Sequence, residues 1–188
     1  MSAVKQAKHV LVPLAEGFEE LEAVCLIDVL RRAEIPVVVA GLAPGPVRGS
    51  HGITLLADCT LEEVDHGVLD AIVLPGGMPG SEHLMEDARI LAIVRRLHAA
   101  GRPTAAICAA PIVLHAAGIV QGRSVTAHPS VRRRLSGAEV LAEPRVVKDG
   151  PVWTSQGPGT ALEFALAIVE ELRGADTARR LGEAMLVA

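Results

Sequence analysis

The amino-acid sequence predicts an α/β fold: a flavodoxin-like doubly wound sandwich, a mostly parallel sheet with helices on both faces. Three observations carry this. The strand candidates His9–Leu14, Val37–Ala40, Ala71–Leu74 and Thr104–Ile107 contain no Asp, Glu, Lys or Arg, and strands buried on both faces read as such continuous apolar runs. Helix-period segments lie between them. The apolar fraction is 50% while aromatics make up only 2%, so Val, Leu, Ile and Ala must fill the core.

The elements follow in order. After His9–Leu14, residues Glu19–Ala33 read as a helix with a broad apolar face of Leu21, Val24, Leu26, Ile27, Val29 and Leu30. Val37–Ala40 is the second strand. Ile53–Leu56 is a short strand in a hairpin-like excursion through Pro44, Gly45 and Pro46. Ala71–Leu74 is the next strand. Ala88–Ala100 is a helix stopped by Gly101. Thr104–Ile107 is a strand that runs into a helix over Ala109–Ala117. Val146–Thr154 reads as a hairpin through Asp149-Gly150, a favoured two-residue turn. Thr160–Leu172 is a helix whose Thr160-x-x-Glu163 start fits a capping box. Asp176–Leu186 closes the chain as a helix.

At 188 residues the chain fits one domain over 1–188. Its net charge of −4 is mild. The cluster Arg132, Arg133 and Arg134 reads as a solvated face, so no nucleic-acid partner is expected. Cys25, Cys59 and Cys108 form neither a disulfide framework nor a CxxC metal site, which fits a reducing cytoplasm. Lys5 and Lys8 precede the first strand with no apolar signal segment. Pro103 to Gly122 carries no Asp, Glu, Lys or Arg, but Pro111 and His115 interrupt it. It reads as a buried strand and helix, and no membrane partner is expected.

In such sheets ligands bind at the carboxyl ends of the strands. Three ends are chemically unusual: Ala15-Glu16-Gly17, Pro75-Gly76-Gly77 and Cys108-Ala109-Ala110-Pro111. Cys108 lies between a β run and a helical run among small residues, the layout of a nucleophile elbow. A helix start beside the sulfur favours thiolate; the competing reading is an inert buried thiol. Gly76 and Gly77 can bare N–H groups to an oxyanion or form a mere turn. Glu22 is either part of a solvated helix face or a carboxyl aimed at the crevice with a raised pKa. His128 can serve as a base or as a structural residue. Cys25 and Cys59 read as packing residues.

These motifs resemble those of the ThiJ/PfpI superfamily, in the branch that contains the parkinsonism-associated protein deglycase and bacterial ThiJ/YajL-like proteins. The matching stretches are Glu19-Glu20-x-Glu22, Val73-Leu74-Pro75-Gly76-Gly77, Ala105-Ala106-Ile107-Cys108-Ala109-Ala110-Pro111, Thr126-x-His128-Pro129, Thr154 to Thr160, and Phe164 to Glu170. The resemblance implies that Cys108 is the nucleophile and the oxidation-sensitive thiol. It implies that Glu22 bonds the sulfur, that Gly76, Gly77 and the Ala109 amide line an anion pocket, and that His128 sits nearby. It implies a homodimer with the site near the interface. The protease-like branch has His directly after its cysteine; Ala109 stands there, so peptidase activity is not expected. An arginine that reaches toward the sulfinate in the parkinsonism-associated member falls in Arg48-Gly49-Ser50-His51, so Arg48 or His51 is the candidate replacement.

The implied activity is cofactor-free and metal-free attack of Cys108 on methylglyoxal or its early adducts, a glyoxalase or deglycase chemistry serving carbonyl or oxidative stress. The alternative is a redox sensor or stress chaperone switched by Cys108 oxidation.

Overall fold

The computed structural model describes residues 9–187; Lys5 and Lys8 lie outside the described residues. The chain runs β1 (His9–Leu14), α1 (Glu20–Arg32), β2 (Val37–Gly41), β3 (Pro46–Arg48), β4 (Thr54–Leu56), β5 (Cys59–Thr60), β6 (Leu69–Leu74), α2 (Gly80–Glu86), α3 (Ala88–Ala99), β7 (Thr104–Ile107), α4 (Pro111–Ala116), β8 (Ser124–Val125), β9 (Glu139–Val140), β10 (Val146–Asp149), β11 (Val152–Ser155), α5 (Ala161–Arg173) and α6 (Ala175–Ala184). Seven strands form the central sheet in the order β10-β11-β7-β6-β1-β2-β5. All its neighbours are parallel except β10 with β11. Strand order reverses at β1: β2 lies on one side, and β6 and β7 on the other. Such a switch point opens a crevice at the carboxyl ends, and β1, β6 and β7 deliver their three unusual turns to it.

The core obeys the aliphatic reading. Val10, Leu11, Val12 and Leu14 of β1, Ala71–Leu74 of β6 and Ala105–Ile107 of β7 are sealed from solvent. Each large aliphatic side chain so buried contributes roughly 1.5–3 kcal/mol. The few aromatics are all spent inside: Phe18, Trp153 and Phe164 are buried. In α3 the residues Ile90, Ile93, Val94 and Leu97 form a single buried stripe, and the Asp87 carboxylate caps its start by accepting from Arg89 N–H at 2.8 Å. α1 packs on α5 and α5 on α6, while α2, α3 and α4 pack on one another. Among the described residues, no helix is long and apolar enough to cross a membrane.

Three expectations are corrected. The hairpin turn is Gly150-Pro151, since Asp149 still pairs with Val152; the Asp149 carboxylate is held by Ser124 N–H and Arg123, which keeps it in the ladder. Thr160 and Glu163 form no capping box: the Thr160 hydroxyl accepts from Gly157 N–H and bonds Ser155, and Glu163 pairs with Arg145. The helix after Cys108 begins at Pro111, because Cys108 itself is left-handed and Ala109-Ala110 complete the turn. The excursion after β2 is hairpin-like, as expected, with β3 and β4 paired antiparallel in a sheet of their own. α2 starts at Gly80, within the Gly-Pro-rich stretch 76–80, which reads as loop by composition.

Candidate active site

Cys108 sits where β7 must turn sharply into α4. Its φ is +63°, a left-handed conformation that costs a non-glycine residue on the order of 1–3 kcal/mol. Both of its backbone groups are tied down. Its N–H donates to Ser155 O at 3.0 Å, and its carbonyl accepts from His128 N–H at 2.9 Å. β11 and the chain after β8 therefore hold the elbow against relaxing. The residue is 9% exposed, so the thiol is largely shielded from solvent.

The turn after β6 approaches it closely. A Cβ placed on Gly76 would lie 2.6 Å from Cys108 Cβ and 2.8 Å from Glu22 Oε2, so only glycine fits. Gly77 adopts φ +91°, and a Cβ there would meet the Glu19 backbone N at 2.3 Å. Glycines here let two backbones and a carboxyl meet around one sulfur.

Glu22 enters from α1 and is fully buried. Its Oε2 accepts from Gly76 N–H at 2.8 Å. Its Oε1 is buried without a hydrogen-bond partner, and the Glu22 carboxyl as a whole interacts with the Cys108 side chain. Burial pushes the Glu22 carboxyl up to about 7, against the pull of Gly76 N–H and the Cys108 side chain. Burial also pushes the Cys108 thiol up to about 12, helped by the Glu22 charge and by the Glu22 side chain at the sulfur; the amides of Gly77 and Ala109 pull the other way. The start of α4 does not by itself depress this thiol, because burial outweighs it. The two groups ionise as a pair. Above about pH 7 they carry one negative charge, and moving the proton from sulfur to carboxyl yields a thiolate beside a carboxylic acid at no change in net charge.

The structure brings some predicted residues together and separates others. Cys108, Glu22, Gly77 and Ala109 share one site. Gly76 belongs to it too, but in a corrected role: its N–H is donated to Glu22 and so is not offered to an oxyanion. The N–H groups directed at the sulfur are those of Gly77 and Ala109. His128 adjoins the elbow through its backbone, while its imidazole is exposed, with Nδ1 2.7 Å from Ser130 Oγ and accepting from Ser130 N–H at 3.3 Å. The His51 imidazole lies 3.0 Å from Glu20 Oε2. Arg48 is exposed and lines a crevice with Glu16, Met78 and His83. Burial, then Asp28, pushes Cys25 up to about 11; burial, then Glu63 and Asp58, raises Cys59. What sets Cys108 apart is the pair of amides and the buried carboxyl around it.

Glu20 was missed by sequence reasoning. A glutamate in the first turn of a helix is explained locally by the dipole, yet here it is buried and bonds the turn after β3. Glu19, Glu20 and His51 bring three ligand atoms within 4.8 Å, but both Glu20 oxygens already face donors of that turn.

A cysteine on a strained strand-to-helix turn, beside a buried glutamate at the switch point of a parallel sheet, defines a class of nucleophile-elbow α/β proteins. The chain belongs to the DJ-1/PfpI family, whose profile matches residues 8–171. It is similar to protein dj-1beta of Drosophila melanogaster, 43% identical over 184 residues that cover 97% of this chain and 98% of that protein. The crystal structure of that Drosophila protein superposes with a TM-score of 0.94 at 42% identity, covering 97% of this chain and 99% of the other. The chain is also 38% identical over 189 residues to the glutathione-independent glyoxalase DJR-1.2 of Caenorhabditis elegans, covering 100% of both. The structure of oxidized Toxoplasma gondii DJ-1 superposes with a TM-score of 0.92 at 38% identity, covering 97% of this chain and all of that one.

Proposed function

We propose that this protein is a cysteine-dependent, cofactor-free glyoxalase that converts small dicarbonyls such as methylglyoxal to lactate-type acids. The observation that carries the reading is the Glu22–Cys108 pair: a buried carboxyl pushed up to about 7 next to a thiol on a strained elbow. A relative similar over its whole length is named a glutathione-independent glyoxalase, which supports the same chemistry here.

The chemistry balances without a cofactor. The thiolate adds to the aldehyde carbon, and the Glu22 carboxylic acid protonates the resulting oxyanion to give a hemithioacetal. The carboxylate so formed moves the C1 proton to C2, and the proton of the C1 hydroxyl passes to the C2 oxygen, leaving a thioester of lactate. Water hydrolyses the thioester, releasing lactate and restoring the thiol. The net change is methylglyoxal plus water to lactate. One group must give and take a proton at neutral pH, which suits a carboxyl with pKa near 7. The amides of Gly77 and Ala109 are the donors available to negative charge at this centre. His128 holds the elbow through its backbone N–H and is the second candidate for a base. Early adducts of dicarbonyls with amines would enter the same route with release of the amine, a deglycase outcome. No peptidase role is proposed, since Ala109 stands where an adjacent histidine would be needed.

The reading includes a homodimer. Leu21 and Val24 of α1, Ile53 just before β4 and Leu56 of β4 are exposed, and a second copy would cover them. Three unpaired thiols support a reducing, cytoplasmic setting. The second reading, a redox sensor, draws on the same thiol: a relative has been seen in an oxidized form, and Gly77 and Ala109 would serve sulfinate oxygens equally well.

The test is lactate formation from methylglyoxal by purified protein, without glutathione and with a chelator present. Wild type should form lactate, and Cys108→Ser should form none above the uncatalysed rate. Equal rates in the two would overturn the enzyme reading and leave the sensor.

A further inference from the structure

The first turn of α1 carries three glutamates with three different neighbours. Glu19 caps the helix, its Oε2 accepting from Glu22 N–H at 2.7 Å. Glu22 points inward to Gly76 and Cys108. Glu20 leaves the helix toward the turn that joins β3 to β4. Its Oε1 accepts from His51 N–H at 2.7 Å and Ile53 N–H at 3.2 Å. Its Oε2 accepts from Ser50 Oγ at 3.3 Å and lies 3.0 Å from His51 Nδ1. An ionised carboxylate offers only acceptors, so the imidazole nitrogen facing it must carry a proton.

The same turn is stitched to the segment before the helix. Gly17 N–H donates to Arg48 O and Ser50 N–H to Phe18 O, both at 2.8 Å. On its other edge that segment carries the catalytic turn: Glu19 N–H donates to Gly76 O at 2.9 Å, and Gly80 N–H to Gly17 O at 3.3 Å. Residues 17–20 thus form a plate between the β3–β4 turn and Gly76-Gly77. The clasp is tight. A Cβ on Gly49 would lie 2.3 Å from Glu20 Cδ.

We propose that Glu20 is a positioning residue: by clasping the 49–53 turn onto the start of α1, its carboxylate fixes Glu22 and Gly76 against Cys108 without touching the sulfur. The inference rests on the reading of Cys108 as the reactive thiol. A solvated acid that merely complements the helix dipole would stay in water. Glu20 is instead 4% exposed and converges on two amides, a hydroxyl and an imidazole. Burial pushes its carboxyl up, but the accepted hydrogen bonds outweigh that and hold it at about 2, so the clasp stays charged wherever the protein works. Charge-assisted bonds of this kind are about twice as strong as neutral ones.

Three variants test this: Glu20→Ala, Glu20→Gln and Gly49→Ala. The last leaves the carboxylate in place but drives it off the turn. Two measurements are read: amide hydrogen exchange at His51 and Ile53, and the pH profile of Cys108 alkylation by iodoacetamide. In Glu20→Ala, exchange at both amides should speed up by about tenfold or more, and the alkylation midpoint should move by roughly half a pH unit or more. Gly49→Ala should move both readouts the same way. Glu20→Gln keeps an acceptor for the two amides and should fall between wild type and Glu20→Ala. Faster exchange with an unchanged alkylation profile would reduce Glu20 to a local staple and overturn the proposal. Unchanged exchange would overturn it as well. If Glu20→Ala does not fold, the other two variants decide. Neither readout needs dicarbonyl turnover, so a failed glyoxalase reading leaves the test standing, whereas an unreactive Cys108 in wild type overturns both.

Discussion

Glu20 and Glu22 lie two residues apart on one helical turn, and both are buried, yet they are opposite in chemistry. Glu20 faces outward into a turn that offers it two amides, a hydroxyl and an imidazole, and its carboxyl is held at about 2. Glu22 faces inward, where Gly76 N–H is its backbone donor and a thiol faces its other side, and its carboxyl is pushed up to about 7. Burial alone does not decide charge. Burial pushes both carboxyls up; the number of donors decides which one stays ionised. On the outer side of the turn the carboxyl is held ionised; on the inner side it is placed to take up or release a proton near neutral pH.

The strongest way to break this contrast is to remove the inner carboxyl. Glu22→Gln keeps a hydrogen-bond donor but cannot carry a proton, so dicarbonyl turnover should fall by about 10²–10⁴-fold, while alkylation of Cys108 near neutral pH stays at least as fast as in wild type. The second half follows because the Glu22 charge is among the causes that raise the thiol. Glu22→Leu should lose turnover too, and because it lacks the donor that Gln offers to the thiolate, its alkylation should be slower than that of Glu22→Gln. Near-normal turnover in Glu22→Gln would make the residue a mere tuner of the thiol.

Gly76→Ala attacks the donor that Glu22 relies on. The added methyl would meet Cys108 Cβ at 2.6 Å and Ile107 O at 2.9 Å. Overpacking of this sort costs about 1–3 kcal/mol, read by urea unfolding. A neutral Gly76→Ala would show that the two turns are not in close contact.

The effect that is smallest per step is in the pH dependence of stability. Glu22 ordinarily titrates at 4.5 and in the folded chain at about 7, so between these values the folded state holds the extra proton. Its contribution is therefore full below pH 4.5 and is lost as pH rises to 7, with a slope of at most about 1.4 kcal/mol per pH unit. Glu20 has the opposite sign and a lower window: its contribution is present above pH 4.5 and is lost as pH falls toward 2. Unfolding free energies of Glu22→Gln should lose the downward slope between pH 4.5 and 7. A slope as steep as in wild type would place its origin elsewhere.

Much of this was legible in the sequence. The strands His9–Leu14 and Thr104–Ile107 coincide with the observed ones, because a strand buried on both faces leaves an unbroken aliphatic run. Cys108 was legible because an elbow needs small residues between a β run and a helical one. Other features depend on which partner a group meets across the fold. Nothing local says that Gly76 N–H is taken by Glu22, that Asp149 stays in its ladder because of Ser124 and Arg123, or that Glu20 turns from its helix to a hairpin. α2 was hidden for a different reason: it starts within a Gly-Pro-rich stretch whose local signal is a loop.

The central claim is a division of labour, with bond formation at Cys108 and proton transfer at Glu22. Intact-mass and peptide mass spectrometry of Glu22→Gln incubated with methylglyoxal tests it most directly. A covalent adduct should accumulate on Cys108 with little lactate released, whereas wild type should release lactate and retain little adduct. Free turnover to lactate by Glu22→Gln, or an adduct placed on Cys25 or Cys59, would contradict it.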